Sequence, residues 1–362
     1  MEELVMNAPF DSTAFKGRRV LVTGDTGFKG SWLSLWLQKM GAEVSGLALP
    51  YEDERCHFAL LGLDKIINHR NGDIRDRSVV QSMFDDTKPE IVFHLAAQSL
   101  VKKSYADPKL TFDTNVGGSI NILDVARDCP SLKALIFITS DKCYLNKEWL
   151  WGYRENDELG GLDPYSASKA AAEIAFKAYS ASYLDMRDDL GAATTRAGNV
   201  IGGGDWALDR IVPDCIRALE AGNPIHIRMP HATRPWQYVL EPLSGYLSLA
   251  THLLEDPARF GGGSWNFGPG ENSVSTVQEL TEKLIQNWGH GEIIIDAPKD
   301  QRYEATLLHL NIDKARMRLD WAPRWDVDRA IRECAIWYKH VLDGHDAMDV
   351  SNRQIDDYMS GT

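Results

Sequence analysis

Cysteine is scarce in this chain: Cys56, Cys129, Cys143, Cys215 and Cys334 are the five among 362 residues, and no two form a C-x-x-C. Thiols so scattered exclude a disulfide framework and a zinc-thiolate site, and read as reduced, cytosolic cysteines. Cys56 and His57 are adjacent, but no further ligand stands near them, so no metal is expected there. Positive charge is also in short supply, with 39 Lys and Arg against 52 Asp and Glu, a formal net charge of −13. That balance argues against a general nucleic-acid or anionic-membrane binder, while leaving room for local basic pockets that take phosphate. No apolar run reaches the length of a membrane span. Met1 to Phe15 is polar and acidic, without the apolar stretch of a signal peptide, so a cytoplasmic protein is expected. Internal repeats, low-complexity runs and Pro/Ser linkers are absent as well.

What is present can build a substantial core, since 44% of residues are hydrophobic and 25% charged. Eleven tryptophans are many for this length; most should be core, and a few could wall a pocket for a flat or sugar-like ligand. The chain is organised around one stretch. Val20 to Val22 predicts a buried strand, and Gly24, Gly27 and Gly30 follow at intervals of three. Trp32, Leu33, Leu35, Trp36, Leu37 and Met40 then recur with helical period, up to a stop at Gly41. Strand, glycine turn and helix leave backbone N–H groups and a positive helix end facing a pyrophosphate. Glycine lets the backbone approach such a group with no Cβ in the way. The spacing is G-x-x-G-x-x-G, not the commoner G-x-G-x-x-G, and a structural βα turn without ligand is the alternative reading.

The first half alternates strand and helix. Strands are predicted at Val44 to Leu49, Lys65 to His69, Ile91 to Ala96, Leu135 to Ser140 and Ala192 to Arg196. Helices are predicted at Asp76 to Phe84, Pro108 to Arg127 and Tyr165 to Tyr183. This rhythm implies an α/β fold, a doubly wound parallel sheet covered on both faces, with ligands beyond the carboxyl ends of the strands. After Asn199 the rhythm changes: a loop at Gly202 to Trp206, a strand at Ile225 to Arg228, and helices at Ile211 to Glu220, Leu240 to Leu254, Thr276 to Trp288 and Val327 to Leu342. Residues 1–198 are therefore read as a dinucleotide-binding domain. Residues 199–362 are read as a smaller, mainly substrate-binding α/β lobe, partly interleaved with the first. The polar tail from Asp349 is expected to be loosely ordered.

Tyr165 and Lys169 lie four apart and share a helix face. An ammonium close to a phenol favours the phenolate, which makes Tyr165 a candidate base. An ordinary exposed helix pair is the alternative for so short a motif. Asp163-Pro164 supplies an N-cap and a first-turn proline, so the pair sits at the helix start. The preceding strand runs into Thr139-Ser140-Asp141-Lys142-Cys143-Tyr144, which places Ser140 to reach a substrate hydroxyl near Tyr165.

At these residues the chain resembles the extended short-chain dehydrogenase/reductases, Rossmann enzymes that act mostly on nucleotide sugars. Within them it looks like the CDP-glucose 4,6-dehydratases. The resemblance covers nearly the whole chain. It is carried by Gly27 to Leu33, Leu95 to Ala97, Thr139 to Tyr144, Trp151 to Glu155, Tyr165 to Lys169, Arg196 to Trp206 and Arg234 to Pro242. It implies a lyase that oxidises C4 of the sugar with bound NAD, eliminates water across C5 and C6, and returns the electrons to C6. Implied catalytic residues are Tyr165 as base, Ser140 orienting O4, Lys169 supporting the phenolate, and Asp141 as acid for the C6 hydroxyl. In dTDP-glucose dehydratases a Glu base for C5 follows this Asp. Here the position is Lys142, which implies a lysine base or another group.

The resemblance further implies NAD contacts from Gly24, Thr26, Gly27, Phe28, Lys29 and Gly30, from Asp73 and Ile74 beside the adenine, from Ala96 and Ala97, and from Tyr165 and Lys169. An acidic residue for the ribose is not clean, because Glu52 and Asp53 come late after the second strand. Asp25 departs from the pattern, and since a carboxylate beside a pyrophosphate is repulsive, its side chain is expected to point away. For the nucleotide sugar, Asn199, Arg210, Arg234 and Trp206 are the candidates, with Trp151 and Trp236 as further possible walls. A homodimer through a four-helix bundle of the Pro108 and Tyr165 helices is implied too, as is a role in supplying deoxy sugars for bacterial surface polysaccharide. Three alternatives stay open at this point: a 4,6-dehydratase of another nucleotide sugar, a nucleotide-sugar 4-epimerase, and a non-catalytic NAD(H)-sensing module. The epimerase has no use for an acid beside Ser140, and a sensor has no need of the proton-transfer set.

Overall fold

The computed structural model describes residues 9–270, 273–296 and 308–361. Among these, seven strands make one parallel sheet: β1 (Arg19–Thr23), β2 (Glu43–Ala48), β3 (Asn68–Asn71), β4 (Ile91–His94), β5 (Ala134–Ile138), β6 (Gly191–Ala197) and an edge strand, Ser264–Phe267. From one edge the order is Ser264–Phe267, β6, β5, β4, β1, β2, β3. The chain winds outward from β1 in one direction and from β4 in the other. The crevice beyond the carboxyl ends of β1 and β4 is therefore the switch point where such sheets take ligands.

Apolar alternation explains why the sheet is covered twice. Val20, Val22, Ile91, Phe93 and Ile136 face one core with Trp32 and Trp36. Their chain neighbours Leu21, Val92, Leu135 and Phe137 face the other, with Phe84, Ile122 and Phe176. Helix α1 (Phe28–Lys39) packs onto the first core through both tryptophans and ends at Met40, with Gly41 beyond it at φ +81°. The second half of the chain joins the same core. It supplies the edge strand, paired parallel to β6, and the almost wholly buried helix Leu240–Glu255. No helix among the described residues is long and apolar enough to cross a membrane.

Three expectations need correction. The third strand is Asn68–Asn71, not Lys65 to His69, because Leu63–Lys65 forms a 3-10 turn that buries Leu63. The predicted Pro108 to Arg127 helix is α-helical at Pro108–Phe112 and Ser119–Arg127 but π-helical at Asp113–Gly118. The buried amide of Asn115, in the π segment, bonds Gln98 and Ser168 on neighbouring elements; inserted π turns are common where a helix serves a site. The polar tail is not loose: Ala347–Ser360 is a helix capped by Asp346, and it buries Ile355 and Tyr358. Its polar residues are satisfied inside the fold, Tyr358 donating to Glu241 at 2.8 Å.

Candidate active site

Beyond β1 the backbone turns at Gly24, φ +78°, so close to the loop after β4 that a Cβ there would stand 2.8 Å from the Ala96 nitrogen. At Gly30 a Cβ would meet the Gly24 carbonyl oxygen at 2.0 Å. The turn therefore closes only with glycine. It delivers the start of α1, whose N-cap Gly27 has no capping side chain and whose first turn has no acidic residue. The first N–H groups of a helix have no partner within it, so this end is left open to an anion.

That end faces a cavity of about 1700 Å3. Single-ligand pockets run to roughly 300–1,000 Å3, so this one has room for a dinucleotide and a second extended ligand together. Gly24, Thr26, Gly27, Phe28, Lys29, Gly30, Asp73, Ile74, Ala96 and Ala97 all line it, which fits the dinucleotide expected from the turn. Thr26 Oγ1 donates to the Leu49 carbonyl at 3.1 Å, and Arg75 pairs with Asp73 and holds its carboxyl below the usual range. Asp25 is not in the wall. Its carboxylate is fully buried, accepts from or shares a proton with His69 Nδ1 at 2.7 Å, and fills the space that Gly46 leaves by lacking a side chain. Burial pushes the Asp25 carboxyl up, and the bond to Asp25 pushes His69 up. The carboxylate thus points away from the turn, as electrostatics demanded.

The far wall is built by β5 and the helix Pro164–Tyr179. Ser140 caps a 3-10 turn, Asp141–Cys143; its hydroxyl donates to Asp141 Oδ1 at 2.9 Å and accepts from the Lys142 nitrogen at 3.2 Å. The helix starts at Pro164, where the Asp163 side chain accepts from the Ser166 nitrogen at 2.9 Å. Ser140, Asp141, Lys142, Tyr165 and Lys169 all line the cavity. Here one electrostatic expectation fails. Burial pushes the Tyr165 phenol up to about 12, with a Ser140 hydrogen bond pulling the other way. Lys169 is itself brought down to about 8 by burial. Among the described residues no hydrogen bond joins the two side chains, so desolvation, not the ammonium, dominates the phenol here.

Asn199, Arg210 and Arg234 line the same cavity, Arg210 in an ion pair with Asp205 at 2.8 Å. Trp236 is in the wall, but Trp206 is not: its buried indole packs edge-on against Tyr338 and under the Arg55 guanidinium, 4.1 Å above the ring. The loop from Gly202 to Asp205 turns that side chain into the core. Trp151 is 59% exposed and lies against Trp149, outside the cavity.

Sequence reasoning missed the residues that hold this wall in place. Asn115 receives the Gln98 N–H at 2.7 Å and donates to the Gln98 carbonyl and to Ser168 on the Tyr165 helix. Glu173, one turn beyond Lys169, is buried against Arg196 of β6 at 2.8 Å and also accepts from Thr139 and Thr194. The available signal was Glu173 continuing the Tyr165–Lys169 spacing into the apolar side of the helix.

Residues 21–334 match the sequence model of the GDP-mannose 4,6-dehydratase family. The chain belongs to that family. It is 44% identical to CDP-glucose 4,6-dehydratase of Salmonella typhimurium over 97% of this chain and 99% of that one. Its fold is similar to that of a dTDP-glucose 4,6-dehydratase double mutant from Streptomyces venezuelae, solved with NAD (TM-score 0.76, 22% identity, 91% of this chain and 99% of that one). It is also similar to UDP-glucose 4-epimerase from Thermotoga maritima (TM-score 0.77, 23% identity, 89% and 99%). The fold is thus shared by dehydratases and epimerases, and the distinction falls on the site.

Proposed function

We propose that this chain is a nucleotide-sugar 4,6-dehydratase that converts CDP-glucose to CDP-4-keto-6-deoxyglucose with NAD as resident cofactor. The observation that carries this reading is that the Ser140-Asp141-Lys142 turn and Tyr165 line one cavity, which puts an acid and an amine beside the groups that handle O4. The glycine turn and the open end of α1 would hold the cofactor's pyrophosphate, with Asp73, Ile74, Ala96 and Ala97 as further cofactor contacts. When bound, NAD supplies the two-electron acceptor for C4 and the same electron pair for C6.

Tyr165 takes the O4 proton as C4 is oxidised, and Ser140 holds O4 by hydrogen bonding. Lys169, one turn along the same helix, lines the cavity with Tyr165 and would contact the cofactor ribose. The new C4 ketone acidifies the C5–H. Lys142, as the neutral amine, takes that proton, Asp141 donates one to the departing C6 hydroxyl, one water leaves, and the proton held by Lys142 returns to C5 as C6 is reduced. Asn199, Arg210 and Arg234 take the substrate diphosphate, the arginines by the paired donors that suit phosphate. A 4-epimerase needs no proton at C6, so Asp141 and Lys142 favour the dehydratase. The substrate base is supported by the Salmonella relative.

Residues 1–198 serve the cofactor in this reading and 199–362 mainly the nucleotide sugar. The enzyme works in the cytoplasm, in keeping with its free cysteines. It forms a homodimer through a four-helix bundle, supported by exposed apolar residues on the two helices concerned: Phe112 on one, Ile174 on the other. The test is to incubate purified protein with CDP-glucose, follow the 4-keto chromophore formed in base, and weigh the product for loss of one water. Turnover of another sugar nucleotide but not of CDP-glucose would overturn the substrate. Tyr165→Phe should abolish turnover while NAD still binds, and an active variant would refute the base.

A further inference from the structure

Lys29 belongs to the phosphate-facing turn by its backbone and to the reacting end of the cavity by its ammonium. It is the second residue of α1 and lines the cavity. Its Nζ lies 3.5 Å from the Tyr246 hydroxyl and 5.9 Å from the centre of that ring. Tyr246 is a buried residue of the Leu240–Glu255 helix, which packs on β5 and β6. Among the described residues no carboxylate stands within ion-pair distance of Lys29. The charged groups that act on it most strongly are Arg210, Asp141 and Lys169, which line the same cavity. Two of these three neighbours are cations, which is an unfavourable place for an ammonium unless its charge is used. Burial and those cations bring Lys29 down to about 8, so it still carries its charge at pH 7.

A dinucleotide laid across this switch point has one half over β1, β2 and β3 and the other over β4, β5 and β6. Ser140, Tyr165 and Lys169 follow β5 or pack on it, so the redox half is the second one. We propose that Lys29 sets the redox balance of the bound cofactor, its positive charge opposing the cationic oxidised nicotinamide and favouring the neutral reduced form. This rests on the NAD-dependent reading above. A dehydratase must hold the electrons taken from C4 while water leaves, and a cation at that position lengthens their stay on the cofactor.

The rival role for Lys29 is a ligand of the cofactor pyrophosphate. The two roles separate cleanly, because NAD+ and NADH carry the same pyrophosphate and differ in charge only at the nicotinamide. The experiment is to titrate wild type, Lys29→Met, Lys29→Gln and Lys29→Arg with each form at pH 7, without substrate, by calorimetry. Wild type and Lys29→Arg should favour NADH. In Lys29→Met and Lys29→Gln the preference should fall by about tenfold, the order expected for loss of one nearby unit charge. Equal weakening of both forms would make Lys29 a phosphate ligand and overturn the proposal, as would an unchanged ratio in a variant that keeps the wild-type circular dichroism. If wild type binds neither form, the NAD-dependent reading itself fails. The two glutamine and methionine variants guard against one of them misfolding.

Discussion

Glu173→Gln is the perturbation that most directly probes how the fold holds its chemistry. The Glu173 carboxylate accepts from Thr139 Oγ1 at 2.5 Å, Thr194 Oγ1 at 2.9 Å, and Arg196 Nε and Nη2 at 2.9 and 2.8 Å. Both partners are almost fully withdrawn from water, with side-chain exposures of 2% for Arg196 and 3% for Glu173. Arg196 spends its remaining donors on Tyr144, the Glu155 carbonyl and Ser264. Glutamine keeps the shape and opens no cavity, so the change removes the charge and turns one acceptor into a donor without altering the packing. It leaves the guanidinium buried without its carboxylate, which costs about 3–5 kcal/mol, against about 0–1 kcal/mol for an exposed pair. Urea unfolding followed by tryptophan fluorescence should show a large drop in midpoint. The same bond anchors the helix that carries Tyr165 and Lys169 to β5 and β6, so turnover should fall at temperatures where the variant is still folded. Replacing both partners by apolar residues, Glu173→Leu with Arg196→Met, should recover most of the stability, because no orphaned charge remains. A loss below about 1 kcal/mol in Glu173→Gln, or a double variant as unstable as the single one, would refute the reasoning.

Gly30→Ala should abolish dinucleotide binding, because its Cβ would meet the Gly24 carbonyl at 2.0 Å; retained protection by NAD in a thermal-shift measurement would contradict this. Asp141→Asn should still oxidise C4 but stall before water loss, so the absorbance of reduced nicotinamide should build up with CDP-glucose while no dehydrated product appears by mass. Water loss at the wild-type rate would remove Asp141 from its role. Burial brings His57 and His94 down to about 3 from the usual 6.5, so between those values the unfolded chain binds more protons than the folded one. Stability should therefore fall as pH drops through 6.5 toward 3, and His57→Gln should flatten that acid limb. Glu241, raised to about 7 by burial, works in the opposite sense between 4.5 and 7, where the folded chain holds the extra proton and gains stability as pH falls.

Much of the site was legible because its chemistry is local. The glycine turn, the Ser140-Asp141-Lys142 turn and the Tyr165–Lys169 pair each need only a few consecutive residues with known backbone preferences. All of them line the cavity where the strand order predicts it. Elements with strong period or clear caps were read well too: Ile211–Glu220 and Val327–Leu342 form helices with the expected bounds. What failed was whatever depended on distant partners. Asp349 onward looked loosely ordered because its polar residues are numerous, yet Gln354 and Ser351 are buried among groups that bond them. The edge strand Ser264–Phe267 went unread because four residues between glycine-rich loops carry too little pattern. Trp206 sat in a motif that suggested a pocket, and only packing against Tyr338 shows it to be core.

The sequence by itself determined the doubly wound order of strands and helices, the turn that only glycine can make, and the short runs that place Ser140, Tyr165 and Lys169 on one cavity wall. These follow from backbone geometry and side-chain period, which act over a few residues. Tertiary structure alone decided that Asp25 turns toward His69, that burial rather than Lys169 governs the Tyr165 phenol, that Glu173 and Arg196 brace the helix, and that the Lys29 ammonium stands beside Tyr246. Those outcomes depend on desolvation and on charges brought together from strands far apart in the chain, and no local pattern encodes either.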